Sequence, residues 1–517
     1  MKTLKFNIAL LVISLFCISA RAQEVVELKK PELNKVIVKL MFRAGSIADP
    51  AGKEGLTSFT ATLVKEGGTA NLTKSQIDER IYPMAAAYGV STDKEVTVFT
   101  FAVPVDFVNE FYPIMKGLIL DPSFSESDFN RVKTQQLNYV TRAIRNSSDE
   151  DYSKMVLEDF LFRGKNYQHM VAGTEKGLNS ITLEDVKEHW QRYFTKDNLM
   201  IGITGNYSDA FLAELKLDMQ GLPALDVELP QAEKAEMPEG TQVEIVSKPG
   251  AFGSAIFMGF PMDITRSNDD FAALMVANSY LGEHRKSYGK LYNKIRETRS
   301  MNYGDYSYIE WYPSGSENML PVAGYPRSSN YFSMWIRPVQ IGAGLREQHE
   351  ELADVKLGHA HFAIRMAVRE LNTLIVEGMN QEDFDLTKKF LRSYIKLYIS
   401  SPGQELGYLM DSRFYGREDW INKADKLLEQ LTLQDVNDAM KEHLQTRNMK
   451  IAVITSPDEA TDLAKSLMEN HPSPMSYSNI VKEGLPEEVL REDEQVAKYP
   501  LNIKSVKIVK TEDTLGL

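Results

Sequence analysis

The first strong pattern in the chain is an apolar, β-branched run at residues 36–42, with the composition of a buried strand. A polar loop punctuated by Gly45, Pro50, Gly52 and Gly55 follows it. From Leu56 the apolar residues fall at Leu56, Phe59 and Leu63, a helical spacing that ends at Gly67 and Gly68. A strand therefore hands the chain through a loop to a short helix, which presents Ser58, Ala61 and Thr62 near one face. All three side chains are small and uncharged.

Part of the pattern occurs twice. Ile181-Thr-Leu-Glu-Asp-Val186 returns as Leu431-Thr-Leu-Gln-Asp-Val436, 250 residues later, and Asn198-Leu-Met-Ile-Gly-Ile-Thr204 returns as Asn448-Met-Lys-Ile-Ala-Val-Ile454. In each copy Thr182 or Thr432 is the expected N-cap, with Asp185 or Asp435 completing a capping box. Upstream, Glu126-Ser-Asp-Phe129 is echoed by Gln381-Glu-Asp-Phe384, each before a long amphipathic helix. The pattern predicts an α+β chain of two tandem homologous domains, each an antiparallel-rich sheet covered by helices. Their expected bounds are 23–222 and 241–517, with a linker at 223–240 where Pro223, Pro230 and Pro238 stand among acidic residues. Further long helices are expected at 352–377 and 384–399. From 471 onward a loosely attached tail is expected, apart from an edge strand at 505–509.

Composition adds compartment and partners. Residues 1–22 have a basic start, an apolar stretch at 8–18 and Ala20-Arg-Ala22 before Gln23, which reads as a signal peptide. The expectation is export to a bacterial periplasm, with secretion as the alternative. Cys17, the only cysteine, lies in that segment, so the remainder uses neither disulfides nor thiolate chemistry. Without Lys2, Lys5 and Arg21 there are 56 basic against 72 acidic residues, a net charge of −16. That balance disfavours nucleic acid and anionic membranes as partners, and no later apolar run is long enough for a membrane span.

The loop and helix resemble the zinc-binding region of the insulinase (pitrilysin) metallopeptidases. The shared residues are Arg43-Ala-Gly-Ser46, Asp49-Pro50, Gly52-Lys53, Gly55-Leu56 and Glu66-Gly67-Gly-Thr69, with Tyr167-Gln-His-Met-Val-Ala-Gly173 and Tyr193-Phe-Thr-Lys-Asp-Asn198 further on. In that family the helix reads Gly-Leu-x-His-x-x-Glu-His, whose histidines bind zinc and whose Glu polarises a water. By register those three positions fall here on Ser58, Ala61 and Thr62, and a later Glu ligand falls on Asn138 or Tyr139. None of these is a normal zinc ligand or general base. The resemblance spans nearly the whole chain after residue 22. It implies a degenerate, non-catalytic subunit of the two-domain, mitochondrial-processing-peptidase-like branch. It also implies no metal on this chain, zinc on a homologous partner subunit in a heterodimer, and a peptide substrate held between the two.

By the same register Arg296 and Tyr303 correspond to a substrate-holding Arg and Tyr, groups able to hydrogen-bond a peptide carbonyl. The plain structural alternative is an ion-paired Arg on a helix face and a Tyr buried in a strand. Two other functions stay open: an active metallopeptidase with unorthodox ligands, and a peptide-binding or scaffold protein without peptidase activity. His359 and His361 form the only close histidine pair, and on a helix their spacing points them apart. Residues 309–330, rich in Tyr, Trp, Gly, Pro and Ser, read either as a substrate-facing loop or as an insertion packed on its own aromatics.

Overall fold

The computed structural model describes residues 23–312 and 320–516. The expected signal peptide at 1–22 lies outside the described residues. Five strands form the first sheet: β1 (Glu24–Lys29), β2 (Lys35–Phe42), β3 (Ala87–Thr92), β4 (Thr97–Pro104) and β5 (Leu199–Gly205). Their order is β1-β5-β2-β4-β3, with β1 and β5 parallel and the other neighbours antiparallel. The second sheet contains β6 (Thr241–Ser247), β7 (Gly253–Met262), β8 (Asp305–Tyr308), β9 (Asn330–Gln340) and β10 (Met449–Thr455). Their order, β6-β10-β7-β9-β8, and their directions copy the first sheet strand for strand. A further strand, β11 (Ile503–Lys510), pairs in parallel with β6 and covers the edge that β1 leaves bare in the first sheet.

The repeated sequence is thus a repeated topology. Both capping boxes form, and in each the aspartate accepts from the threonine N–H at 2.8 Å, opening the helices Leu183–Tyr193 and Leu433–His443. The two sheets then exchange cover. The helix Asp149–Leu161, from the first half, packs on β7 and β10 of the second sheet. Its repeat counterpart, Pro402–Phe414, packs on β1 and β5 of the first. Tyr152, Val156 and Leu157 share a core with Phe257, Trp335 and Ile454. Leu406 and Met410 share one with Val26, Met41 and Met200. An apolar seam of this kind opposes free hinging between the halves. Residues 223–240 carry no helix or strand, and Asn166 holds them by donating from its side chain to Gln231 O and from its backbone to Glu233.

Two sequence expectations are corrected. The helix expected from 352 begins at Ala360, because the Glu459 carboxylate accepts from Gly342 N–H (3.0 Å) and Gly358 N–H (2.6 Å), pinning both ends of a segment that forms only a short helix, Gly342–Gln348, and a 3-10 turn, Glu350–Leu352. The tail after 471 is firmly attached. Arg365 is fully buried, and its guanidinium donates to the carbonyls of His471, Ala497 and Tyr499 and to the side chains of Asn470 and Ser473, at 2.6–2.9 Å. Burial, with no carboxylate to offset it, lowers its pKa to about 10. Charge and prolines suggested a solvated tail, but its backbone supplies the acceptors that a buried Arg requires. Replacing Arg365 by Met orphans several buried acceptors and costs on the order of 3 kcal/mol. Urea melts with limited proteolysis check this, the first new cleavage falling within 470–499.

Candidate functional site

The helix expected to present Ser58 is Leu56–Glu66, and its N-terminus is held from outside itself. Asp49 accepts from Gly55 N–H (2.7 Å), Thr57 N–H (2.7 Å) and the Thr57 hydroxyl (2.6 Å), so one carboxylate meets the positive end of the helix. His169 Nε2 lies 3.0 Å from the same carboxylate, and His189 Nε2 lies 2.9 Å from the Thr57 hydroxyl. Burial keeps His189 neutral, lowering its pKa to about 4. Gly55 has φ +102° and sits so near Gly173 that a Cβ would come within 2.8 Å of the Gly173 Cα. Asp49, Gly55, His169 and Gly173 are all residues of the shared pattern, and here they work as a clamp.

What the clamp presents is chemically bare. Ser58 and Tyr139 line one cavity of about 300 Å3. Ala61 is fully buried in the first half's core, Thr62 is half-buried, and Asn138 is exposed at the end of the helix Glu126–Asn138. Of the two candidates for the fourth position, Tyr139 faces the cavity. It opens a π-helical turn, Tyr139–Ala143, and burial raises its phenol pKa. Two hydroxyls, a methyl and a phenol or amide do not fit zinc, which takes imidazole, thiolate or carboxylate. Elsewhere among the described residues one trio of metal-type side chains gathers, Asp270, Glu442 and His443, where His443 Nε2 is 2.8 Å from Asp270. His359 and His361 do not converge: the first bonds Ser476 O and the second the Ser466 hydroxyl.

The opposite cavity wall comes from the exchanged helix and the second half. Arg327 donates to both Asp93 oxygens at 2.7 Å and to Glu158 at 2.8 Å, with its guanidinium 3.9 Å from the Trp311 ring centroid. Glu158 also receives Lys94, at 3.0 Å, and the Tyr331 hydroxyl, at 3.2 Å. Burial alone would raise the Glu158 pKa, but Arg327 and Lys94 outweigh it and hold it at about 2. Lys154 lines the same cavity, donating to Tyr312 O against the faces of Trp311 and Tyr312. Sequence reasoning did not single out Lys154, Glu158 or Arg327. Lys154 and Glu158 are four apart on a helix, the spacing of an ordinary solvated pair. Trp311 and Arg327 do fall within 309–330, which therefore packs on the first half and faces the cavity; residues 313–319 lie outside the described residues.

Arg296 and Tyr303 stand apart from the cavity lining. Arg296 lies on the π-helical turn Tyr292–Glu297, its side chain 37% exposed, 3.2 Å from Glu297 and over the Tyr292 ring. Tyr303 is 78% exposed, just before β8. The neighbouring Arg299 is the buried one, tied to Glu492 and Asp493. Arg327→Met would remove the cation from Asp93 and leave Glu158 with Lys94 alone inside the seam, at roughly 3–5 kcal/mol. Denaturant melts check the loss, and adding Asp93→Asn should recover part of it.

The family model for insulinase (peptidase family M16) matches residues 24–175, and that for the peptidase M16 inactive domain matches residues 180–391. A Helicobacter pylori protein named non-peptidase homolog YmxG is 24% identical over 430 residues, 81% of this chain and 88% of its own. A Bacillus subtilis protein named uncharacterized zinc protease YmxG is 22% identical over 296 residues, 57% of this chain and 69% of its own. The crystal structure of a peptidase M16 inactive domain from Pseudomonas fluorescens shares the fold with a TM-score of 0.70 at 20% identity, covering 84% of this chain and 95% of that one. That of a protease from Helicobacter pylori does so with 0.67 at 16% identity, covering 84% and 96%. The chain belongs to the insulinase family, peptidase family M16, and keeps the family's two-domain fold.

Proposed function

We propose that this chain is the non-catalytic partner of a zinc-bearing family member, exported with it, and that it binds peptide in a chamber the two share. The observation that carries this reading is the cavity. A site with no remaining use tends to fill with larger apolar side chains, since dispersion and burial favour a packed interior. Here Ser58 stays small, the part-exposed Tyr139 lines the cavity, and about 300 Å3 remains beside charged and aromatic groups. The name of the Helicobacter pylori relative, a non-peptidase homolog, points the same way.

In this reading zinc and the general base belong to the partner subunit, and this chain supplies binding. The exposure of Arg296 and Tyr303 leaves a guanidinium and a phenol able to reach a substrate carbonyl. An active metallopeptidase with unorthodox ligands is disfavoured by the donor set at Ser58, Ala61 and Thr62.

The pure chain should hydrolyse no peptide, and mixing with a homologous chain that carries the intact zinc motif should give activity. In the mixture Arg296→Ala or Tyr303→Phe should lower turnover by on the order of a hundredfold, as loss of an oxyanion-type donor does. A surface ion pair at Arg296 would be worth under about 1 kcal/mol of stability and nothing in rate. Full turnover with both substitutions, at matched thermal melts, would leave the chain a scaffold.

A further inference from the structure

We propose that the cavity beside Ser58 is a pocket for an apolar carboxylate, the free C-terminal residue of a peptide, with Lys154 holding the carboxylate. The choice of a peptide rests on the function proposed above; the pocket's chemistry does not.

The argument starts from which cations are already neutralised. Arg327 is matched by Asp93 and Glu158, and Glu158 is matched in turn by Arg327 and Lys94. Lys154 is buried, yet among the described residues no carboxylate lies within ion-pair distance of it. Its ammonium has three donors and uses one on Tyr312 O, leaving the Trp311 and Tyr312 ring faces beside it. A buried cation without a counter-ion is expensive, and an entering carboxylate relieves that cost. The groups that face it are Asp151 and Glu158 on its own helix, Asp93 from the first half, and Arg327 and His284 from the second half. Burial outweighs the two helix acids and lowers the Lys154 pKa to about 7.

The remaining lining sets the rest of the ligand. Ile144, Met155, Met170, Val171 and Trp311 are apolar, and methionines adapt to varied shapes, while Asp151, Glu158, Gln168 and Arg327 make up the polar part of the wall around Lys154. A volume of about 300 Å3 is at the small end for ligand pockets, suited to one terminal side chain with its carboxylate rather than to a continuous strand of peptide. Ser58 completes the wall at a position where family members carry an imidazole, so the lost ligand is part of what makes room.

The test is calorimetric titration of the whole chain with three probes: an N-acetylated dipeptide ending in free leucine, its C-terminal amide, and 4-phenylbutyrate. The free-acid dipeptide should bind about tenfold or more tightly than the amide, and Lys154→Met should abolish that difference. Because bound carboxylate re-protonates Lys154, binding near neutral pH should take up a proton, and affinity should fall as pH rises above about 7. Should Lys154→Met fail to fold, Ser58→Phe, which fills the cavity and leaves Lys154 intact, should weaken the free-acid dipeptide by a similar factor. Binding of 4-phenylbutyrate alone would overturn the assignment of the pocket to a peptide C-terminus, while the shared-chamber reading is judged separately by the turnover of the Arg296 and Tyr303 variants. Equal binding of acid and amide, no effect of either substitution, or no saturable binding by any probe would overturn the pocket itself.

Discussion

The structure depends on one exchange: the helix Asp149–Leu161 belongs to the first half by sequence and lies on the second half's sheet. Its apolar face joins Phe257, Trp335 and Ile454. Its polar positions are used across the seam as well, with Glu150 taking Arg337 at 2.9 Å and Glu158 taking Arg327 at 2.8 Å. Pro402–Phe414 returns the arrangement on the first sheet. Each half keeps a core of its own, but one face of each sheet is covered by the other half's helix, so the cavity between them has walls that are fixed by the fold.

Folding requirements of a similar kind hold the loop around the Leu56–Glu66 helix. Asp49, Gly55 and Gly173 satisfy the first turn of the Leu56–Glu66 helix and let two backbones approach closely. Losing them would leave buried donors unpaired or force the chains apart, at a cost in stability whatever the helix does. Ser58 and Thr62 carry no such duty, so their identity is free to follow function. In the reading proposed above, the motif records two pressures, one on folding and one on chemistry, of which only the second has lapsed.

Much of this was legible in the sequence, for reasons that can be named. The duplication was visible because capping boxes at Thr182 and Thr432 and the strands after them have strict local requirements. The helix that presents Ser58, Ala61 and Thr62 was legible from its apolar spacing, whereas the meeting of Ser58 and Tyr139 at one cavity depends on the packing of two separate helices. What was not legible depends on contacts between distant residues. Arg327 lies 234 residues from Asp93, and nothing local marks either as buried. Lys154 and Glu158 carry the spacing of a solvent-exposed pair and are buried by the second sheet. Arg365 and the tail it holds mislead the same way, since a buried Arg and a charged, proline-bearing tail each look solvated until they meet.

The most direct test of the central claim, a family fold kept without its metal chemistry, is the zinc content of the purified chain after saturation with zinc and extensive dialysis. The account predicts substoichiometric zinc, unchanged by Ser58→Val or Thr62→Val. One tightly held equivalent, lost on either substitution, would contradict it.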